Sequence, residues 1–160
     1  MRAVVGLLLG AVLCGCASRP AAPTIIVHER YPRPNCLGKC FDYDLTVYPD
    51  GDGNLRFLDH ADLIRFHADA KQVAAFRSAL AGIRPVGSIS KAHHCAYEDG
   101  TPQSGPPMVI EWKGDGAESR LESCVYDNLA DVGAGLRALR VSPVYGRVLS
   151  PAEAAQRSIM

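Results

Sequence analysis

The side chains most suited to chemistry lie in a segment rich in Gly, Ser and Pro between residues 87 and 107. They are His93, His94, Cys95, Tyr97, Glu98 and Asp99. Histidine beside cysteine is the combination of a thiol nucleophile and its base, and His, Cys and Glu are metal ligands. Adjacent residues usually point apart, however, so a catalytic pair would need a residue from a distant segment. We predict no catalytic residue here, and the alternative is a metal-binding or hydrolytic protein that uses His93, His94, Glu98 and the cysteines.

The first residues have the pattern of an export signal. Arg2 precedes an uncharged, mostly apolar run over residues 3–15, which is shorter than the roughly 20 residues that span a membrane. We therefore predict that residues 1–15 are a signal peptide. The sequence Leu13-Cys14-Gly15-Cys16 is similar to a lipobox, whose cysteine receives a diacylglycerol and becomes the first mature residue. Cys16 fits better than Cys14, because Leu13 would otherwise occupy the position of a small residue.

Lipidation of Cys16 predicts a protein anchored in a membrane of the cell envelope. Ala17 stands where an Asp would resemble an inner-membrane retention signal, which favours the outer membrane with the domain facing the periplasm. Residues 16–23 include two prolines and no periodic pattern, so we expect a short tether. A plain secretory signal with incidental cysteines is the alternative.

Once the leader and the lipidated residue are set aside, the remaining cysteines are Cys36, Cys40, Cys95 and Cys124. An even number in an exported protein favours disulfides, and the pairing stays open among three connectivities. We favour Cys36–Cys40 with Cys95–Cys124, which requires a tight turn around Gly38. In a strand the first pair would lie roughly 13 Å apart, whereas a disulfide needs less than about 7 Å. Zinc or redox chemistry is disfavoured, because free thiolates would have to survive export and CxxxC is not the redox spacing.

Period-two patterns predict strands early in the mature chain. Residues 24–31 begin with β-branched side chains and then alternate, and residues 41–48 alternate apolar with mostly polar positions. Residues 49–54 are rich in Pro, Asp and Gly, and alternation resumes at 55–58, so a hairpin is predicted. The acidic residues of the turn are spaced like the first ligands of an EF-hand calcium loop. Leu55 and Ala61, however, occupy the positions where that loop needs Gly and Glu, so a calcium site is disfavoured at this turn. We expect its glycines to take positive φ instead.

Two helices are predicted from apolar residues spaced three, four and three apart. Their apolar faces consist of Val73, Phe76, Leu80 and Ile83, and of Leu129, Val132, Leu136 and Leu139. Asp69 and Gly82 are the expected ends of the first helix, and Asp127 or Asn128 is the expected cap of the second. Glycines inside the second helix should weaken it by roughly 1 kcal/mol each relative to Ala.

A second hairpin is predicted between these helices. Residues 108–113 and 118–125 alternate on either side of Gly114-Asp115-Gly116. The predicted fold class is α+β: an antiparallel β-sheet built from two hairpins plus an N-terminal strand, with two helices packed on one face. Residues 24–150 form the single domain, and residues 151–160 are a C-terminal tail.

The motif Cys36-Leu37-Gly38-Lys39-Cys40, followed by Tyr43, Leu45, Val47 and Asp50-Gly51, resembles a family of bacterial secreted lipoproteins of unknown function. Its members have the pattern CxGxCPxYxLxI, then an aspartate–glycine turn, a second strand and a helix. The resemblance covers roughly residues 25–141. Phe41 stands where the family usually has Pro. The resemblance implies the fold and the compartment, and no activity.

The net charge and the lack of known catalytic or nucleotide-binding motifs limit the classes of function that the sequence supports. The formal net charge is +0, so no overall field attracts nucleic acid. The sequence contains no nucleophile elbow, zinc-protease, phosphate-loop or dinucleotide motif, and we predict no cofactor and no metal ligand. We predict a non-enzymatic binding or structural module whose partner is an envelope protein or a cell-wall component. A sheet covered on one face leaves the other free, where Tyr48, Phe57 and Trp112 are expected.

Overall fold

The computed structural model describes residues 21–30, 42–58, 62–86, 90–91, 108–124, 129–143 and 146–156. Their strands are β1 Thr24–Glu29, β2 Tyr43–Val47, β3 Asp52–Phe57, β4 Leu63–His67, β5 Ser90–Lys91, β6 Met108–Lys113, β7 Ser119–Ser123, β8 Val141–Ser142 and β9 Arg147–Val148. Their helices are α1 Ala70–Ala81, α2 Leu129–Leu139 and α3 Pro151–Gln156. No helix among these residues is long and apolar enough to cross a membrane.

One large sheet joins most of the described strands in the order β4-β3-β2-β1-β6-β7-β5. Both predicted hairpins, β2–β3 and β6–β7, are present, and β1 pairs antiparallel with a strand of each. Val27 at the centre of β1 lies opposite Leu45 on one side and Ile110 on the other. Among the described strands, only the short β5 is parallel to its neighbour, β7. The predicted α+β fold with an antiparallel sheet is therefore confirmed.

Alternation along the strands separates an apolar face from a polar one. Every second residue of β1, β2 and β7 is buried, as a half-covered antiparallel sheet requires. The buried side chains pack with those of the helices into one cluster. Its largest fully buried side chains are Tyr43, Phe76, Ile25, Leu45, Leu55, Leu80, Met108, Ile110, Leu136 and Leu139. Burial of this apolar surface holds the helices on one face of the sheet.

Helix α1 begins and ends where the sequence predicts. The Asp69 carboxylate accepts from the Gln72 backbone N–H at 2.8 Å, and the Gln72 side chain accepts from the Asp69 N–H at 3.0 Å, which is a capping box. Gly82 is the C-cap. The proposed caps of α2, Asp127 and Asn128, lie outside the described residues.

Helices α1 and α2 contact each other at a glycine of α2. A Cβ on Gly135 of α2 would lie 2.8 Å from Cδ2 of Phe76, a core residue of α1. The glycine that local propensity counts as a weakness therefore allows the close approach of α1 and α2.

Two expectations about the hairpins need correction. Phe57 and Trp112 are not on a free face: both are buried in the core, because they share the side of Leu55 and Ile110 under the period-two rule. Of the three aromatic residues, only Tyr48 is exposed, just after β2. In the first turn, Gly51 has the expected positive φ of 96°. Gly53 does not, because it is a strand residue opposite Phe66, whose ring occupies the space above it.

The segment after α2 adds structure that periodicity did not predict. Strands β8 and β9 pair, and buried Leu149 joins the core. The expected tail contains α3, where Glu153 accepts from Arg147 Nη2 at 2.6 Å and from the Ser150 backbone N–H at 3.0 Å. Hydrogen bonds from the Arg147 side chain and from Ser150 lower the pKa of Glu153 to about 2.

Candidate functional site

The face of the sheet opposite the helices is lined by charged side chains. The register places His28 of β1 opposite Asp44 of β2, and Glu111 of β6 opposite Arg120 of β7. We call this surface the open face, and its charged residues are His28, Arg30, Asp44, Asp52, Arg56, Arg65, His67, Glu111, Lys113, Arg120 and Glu122.

His28 lies between two carboxylates at the centre of the open face. Its Nδ1 is 2.6 Å from Asp44 Oδ1, and its Nε2 is 3.8 Å from Glu111 Oε2. An ionised carboxylate only accepts hydrogen bonds, so Nδ1 carries a proton. Arg30 Nη2 donates to the same Asp44 oxygen at 2.6 Å. Burial alone would raise the pKa of Asp44, but the hydrogen bonds from His28 and Arg30 outweigh it, and the pKa is lowered.

Glu111 is the second centre of the open face. Its side chain is only 14% exposed, with Lys113 Nζ at 2.7 Å and Arg120 Nη1 at 2.6 Å. Burial would raise the pKa of Glu111, yet the hydrogen bonds from these two cations lower it. Arg120 also donates from Nε to Glu122 at 2.8 Å. That bond, with the one to Glu111, raises the pKa of Arg120 despite partial burial.

The surroundings of His28 differ from those of a histidine that activates a nucleophile. An Asp–His pair activates a nucleophile when the second imidazole nitrogen faces a hydroxyl or thiol. Here Nε2 of His28 faces the Glu111 carboxylate instead. In the part of the chain that the structure describes, no three His, Cys, Asp or Glu side chains form a group that could hold a metal ion. The open face is an ordered array of hydrogen-bond donors and acceptors.

A buried polar pair lies at the end of the sheet where β1 ends. Tyr43 Oη donates to Glu29 Oε2 at 2.5 Å, and each residue is 2% exposed. Glu29 lies opposite both Tyr43 and Met108, and Met108 lies opposite Ser123. Residues 31–41 connect β1 to β2 at this end, and residues 92–107 connect β5 to β6.

All four predicted disulfide cysteines belong to segments that begin or end at this end of the sheet. Cys36, Cys40 and Cys95 lie outside the described residues. Cys124, which directly follows β7, is disulfide-bonded. Lys91 lies opposite Leu121 in the parallel pair β5–β7. Cys95 comes a few residues after Lys91 in the sequence, and Cys124 comes a few residues after Leu121. This register supports the Cys95–Cys124 pairing, which stays a prediction.

The other predicted site residues lie outside the described residues. They are Cys16, His93, His94, Tyr97, Glu98 and Asp99. The metal-binding or hydrolytic alternative is therefore a prediction without a structural test.

Sequence reasoning missed the charged network, although a signal for it was present. His28 and Asp44 occupy the polar positions of two strands that were predicted correctly. The pattern alone does not show that β1 pairs with both hairpins, and this pairing brings Asp44 and Glu111 to the two sides of His28.

In comparisons with known proteins, the chain matches no family model, no curated protein and no solved structure. The resemblance to the CxGxC lipoprotein family stays a prediction.

Proposed function

We propose that this protein is a lipid-anchored component of the cell envelope whose domain binds a partner without catalysing a reaction. The leader and Cys16 support the anchor. One structural observation supports binding: the sheet has helices on one face and an ordered ionic network on the other. Glu111, Arg120 and Asp44 are already held by their neighbours, so a partner would order few additional side chains. Complementary charges at such a surface supply specificity and a fast encounter.

Site-specific photo-crosslinking in cells tests the binding surface. A photoreactive amino acid replaces Thr46 or Asn54, which are partly buried among the charges of the open face. The matched controls carry it at Lys71 or Ser78, which are exposed on α1. We expect a discrete crosslinked product from the open face and none from α1. Equal products from both surfaces, or none from the open face, would refute the proposal.

A charge substitution tests whether the ionic network of the open face contributes to the crosslinked contact. Glu111→Gln keeps the shape of the side chain and removes its charge beside Arg120 and Lys113. We expect the crosslink from Thr46 to weaken in this variant while the amount of folded protein stays the same. An unchanged crosslink would show that the network does not take part.

Metabolic labelling with a radioactive fatty acid tests the anchor separately. Cys16→Ser should abolish labelling and release the protein from the membrane fraction, whereas Cys14→Ser should leave labelling intact. Labelling that persists without Cys16 would contradict the anchor.

A further inference from the structure

Strand β4 forms one edge of the sheet, and no other described strand pairs with the backbone groups on its outer side. The backbone carbonyl of Asp62 accepts a hydrogen bond from the Phe57 N–H, and the Ala68 N–H donates one to the backbone carbonyl of Gly51. These bonds bracket the β3–β4 ladder, and in an antiparallel pair bonded positions alternate with unbonded ones. Ile64 and Phe66 therefore bond to β3. The N–H and C=O groups of Leu63, Arg65 and His67 point away from it.

The side chains of these outward residues lie on the open face. Leu63 is 47% exposed, and Arg65 and His67 are exposed as well. The opposite edge strand, β5, comprises two residues within the described part of the chain. Strand β4 is thus the longer edge, and a strand added there would continue the open face.

The charge at the β4 edge is not neutralised as it is at the centre. Arg56 and Arg65 are exposed, and neither forms an ion pair with another described residue. Asn54 lies opposite Arg65 and two residues before Arg56, so the two arginines occupy diagonally neighbouring positions on the open face. Asp44 lies opposite Arg56, but its carboxylate is held by His28 and Arg30. Asp52 pairs with His67 at 2.8 Å.

A second copy of this chain fits the edge poorly. Full antiparallel pairing of two β4 strands would be centred on Arg65, the middle residue. It would place one Arg65 directly opposite the other, and like charges in that position are destabilising. The unneutralised guanidinium groups instead favour a strand that carries carboxylates.

We infer that β4 accepts an extended acidic segment of a partner protein as an eighth strand of the sheet. Backbone bonds to Leu63, Arg65 and His67 would hold the segment, and carboxylates at alternate positions would meet Arg65 and its neighbour Arg56. Alternate positions are required because only every second side chain of the added strand lies on the open face. This inference rests on the proposed function, since it names the partner class of that binding surface.

Amide exchange by NMR on the full chain, purified in detergent, tests the inference. The probe is an eight-residue peptide that alternates Glu and Val, and the control peptide alternates Lys and Val. Before addition, the amides of Ile64 and Phe66 should be protected, and those of Leu63, Arg65 and His67 should exchange rapidly. The acidic peptide should protect the latter three, and the basic peptide should not.

Four variants separate the contribution of backbone pairing from that of charge. Leu63→Pro removes an outward N–H at the first residue of the edge strand, where proline is tolerated, and should abolish binding. Leu63→Ala keeps that N–H and should bind the peptide. The double variant R56A/R65A should bind about tenfold more weakly, whereas Arg137→Ala, at an exposed arginine of α2, should bind as wild type.

Several results would overturn the inference. They are equal binding of both peptides, binding that leaves Arg65 unprotected, and protection of the same amides by self-association or by anionic lipid vesicles alone. Failure of the acidic peptide with crosslinks from Thr46 intact would refute the added strand and leave the proposed function standing. Absence of a Thr46 crosslink in the chain that keeps Glu111 would refute the proposed function itself.

Discussion

Replacing Arg84 with Ala should destabilise the fold more than any exposed arginine would. Arg84 follows α1 and connects the helical layer to the turn of the β6–β7 hairpin. Its Nη2 donates to Asp115 at 2.7 Å and to the Ala117 carbonyl at 2.6 Å, and its Nε donates to Ser119 Oγ at 3.1 Å. The guanidinium also lies 5.8 Å from the ring centroid of Trp112. A single side chain thus joins the helix end, the turn and the core.

The expected loss of stability follows from the burial of these groups. The Arg84 and Asp115 side chains are only 26% and 10% exposed. Hydrogen bonds to charged groups contribute about 1.5–3 kcal/mol when buried, and the cation–π contact adds about 0.5–1 kcal/mol. After a discount for the exposed part of Arg84, we expect Arg84→Ala to lower the free energy of unfolding by about 2–3 kcal/mol. For a domain of this size, the Tm should fall by roughly 5–12 °C.

The effect of Arg84 should depend on pH in a defined direction. Burial alone would raise the pKa of Asp115, but hydrogen bonds from Arg84 and from the Ala117 backbone N–H lower it below 3.8. A carboxyl group with a lowered pKa in the folded state stabilises the fold above its unfolded pKa. That contribution is lost as the pH falls through the folded value. The difference between wild type and Arg84→Ala should therefore be full at pH 7 and shrink below about pH 4.

Urea unfolding followed by far-ultraviolet circular dichroism at pH 7 and pH 3 measures both effects. Arg137→Ala is the matched control, because Arg137 is exposed on α2, and we expect it to change stability by less than about 0.5 kcal/mol. A double-mutant cycle with Asp115→Asn isolates the ion pair. Our reasoning fails if Arg84→Ala unfolds with wild-type stability at pH 7, or if its deficit is undiminished at pH 3.

Two further predictions concern the helices. Gly135→Ala should destabilise the fold by about 1 kcal/mol, since the clash with Phe76 outweighs the roughly 1 kcal/mol gained in helix propensity. Gly82→Ala is its control, because a Cβ there meets nothing within 4 Å; thermal melts that rank both variants alike would contradict the packing argument. Asp69→Ala should cost about 1 kcal/mol through loss of the capping box with Gln72, and Asp69→Asn should retain most of it. Equal urea midpoints for Asp69→Ala and wild type would exclude that role.

The candidate site could be predicted only in part. The polar positions of β1 and β2 identify His28 and Asp44 as residues of the exposed side, because alternation is a local property of a strand. Their neighbours across the sheet are not local, and Glu111 is distant from both in sequence. Strand β4 was missed although Ile64 and Phe66 alternate with polar residues, because the run is short and directly precedes a helix.

By itself, the sequence determined the elements whose causes lie within a few residues. The hairpins follow from period-two alternation around turn residues, and the start of α1 follows from Asp69. Tertiary structure alone decided which strands are neighbours, since β1 joins two hairpins through hydrogen bonds that any strand could make. It also decided that Gly135 is a contact point for Phe76, because propensity describes a helix in isolation whereas packing depends on the surface it meets. The ionic network around His28 belongs to this second class, because it exists only after separate strands have been brought into register.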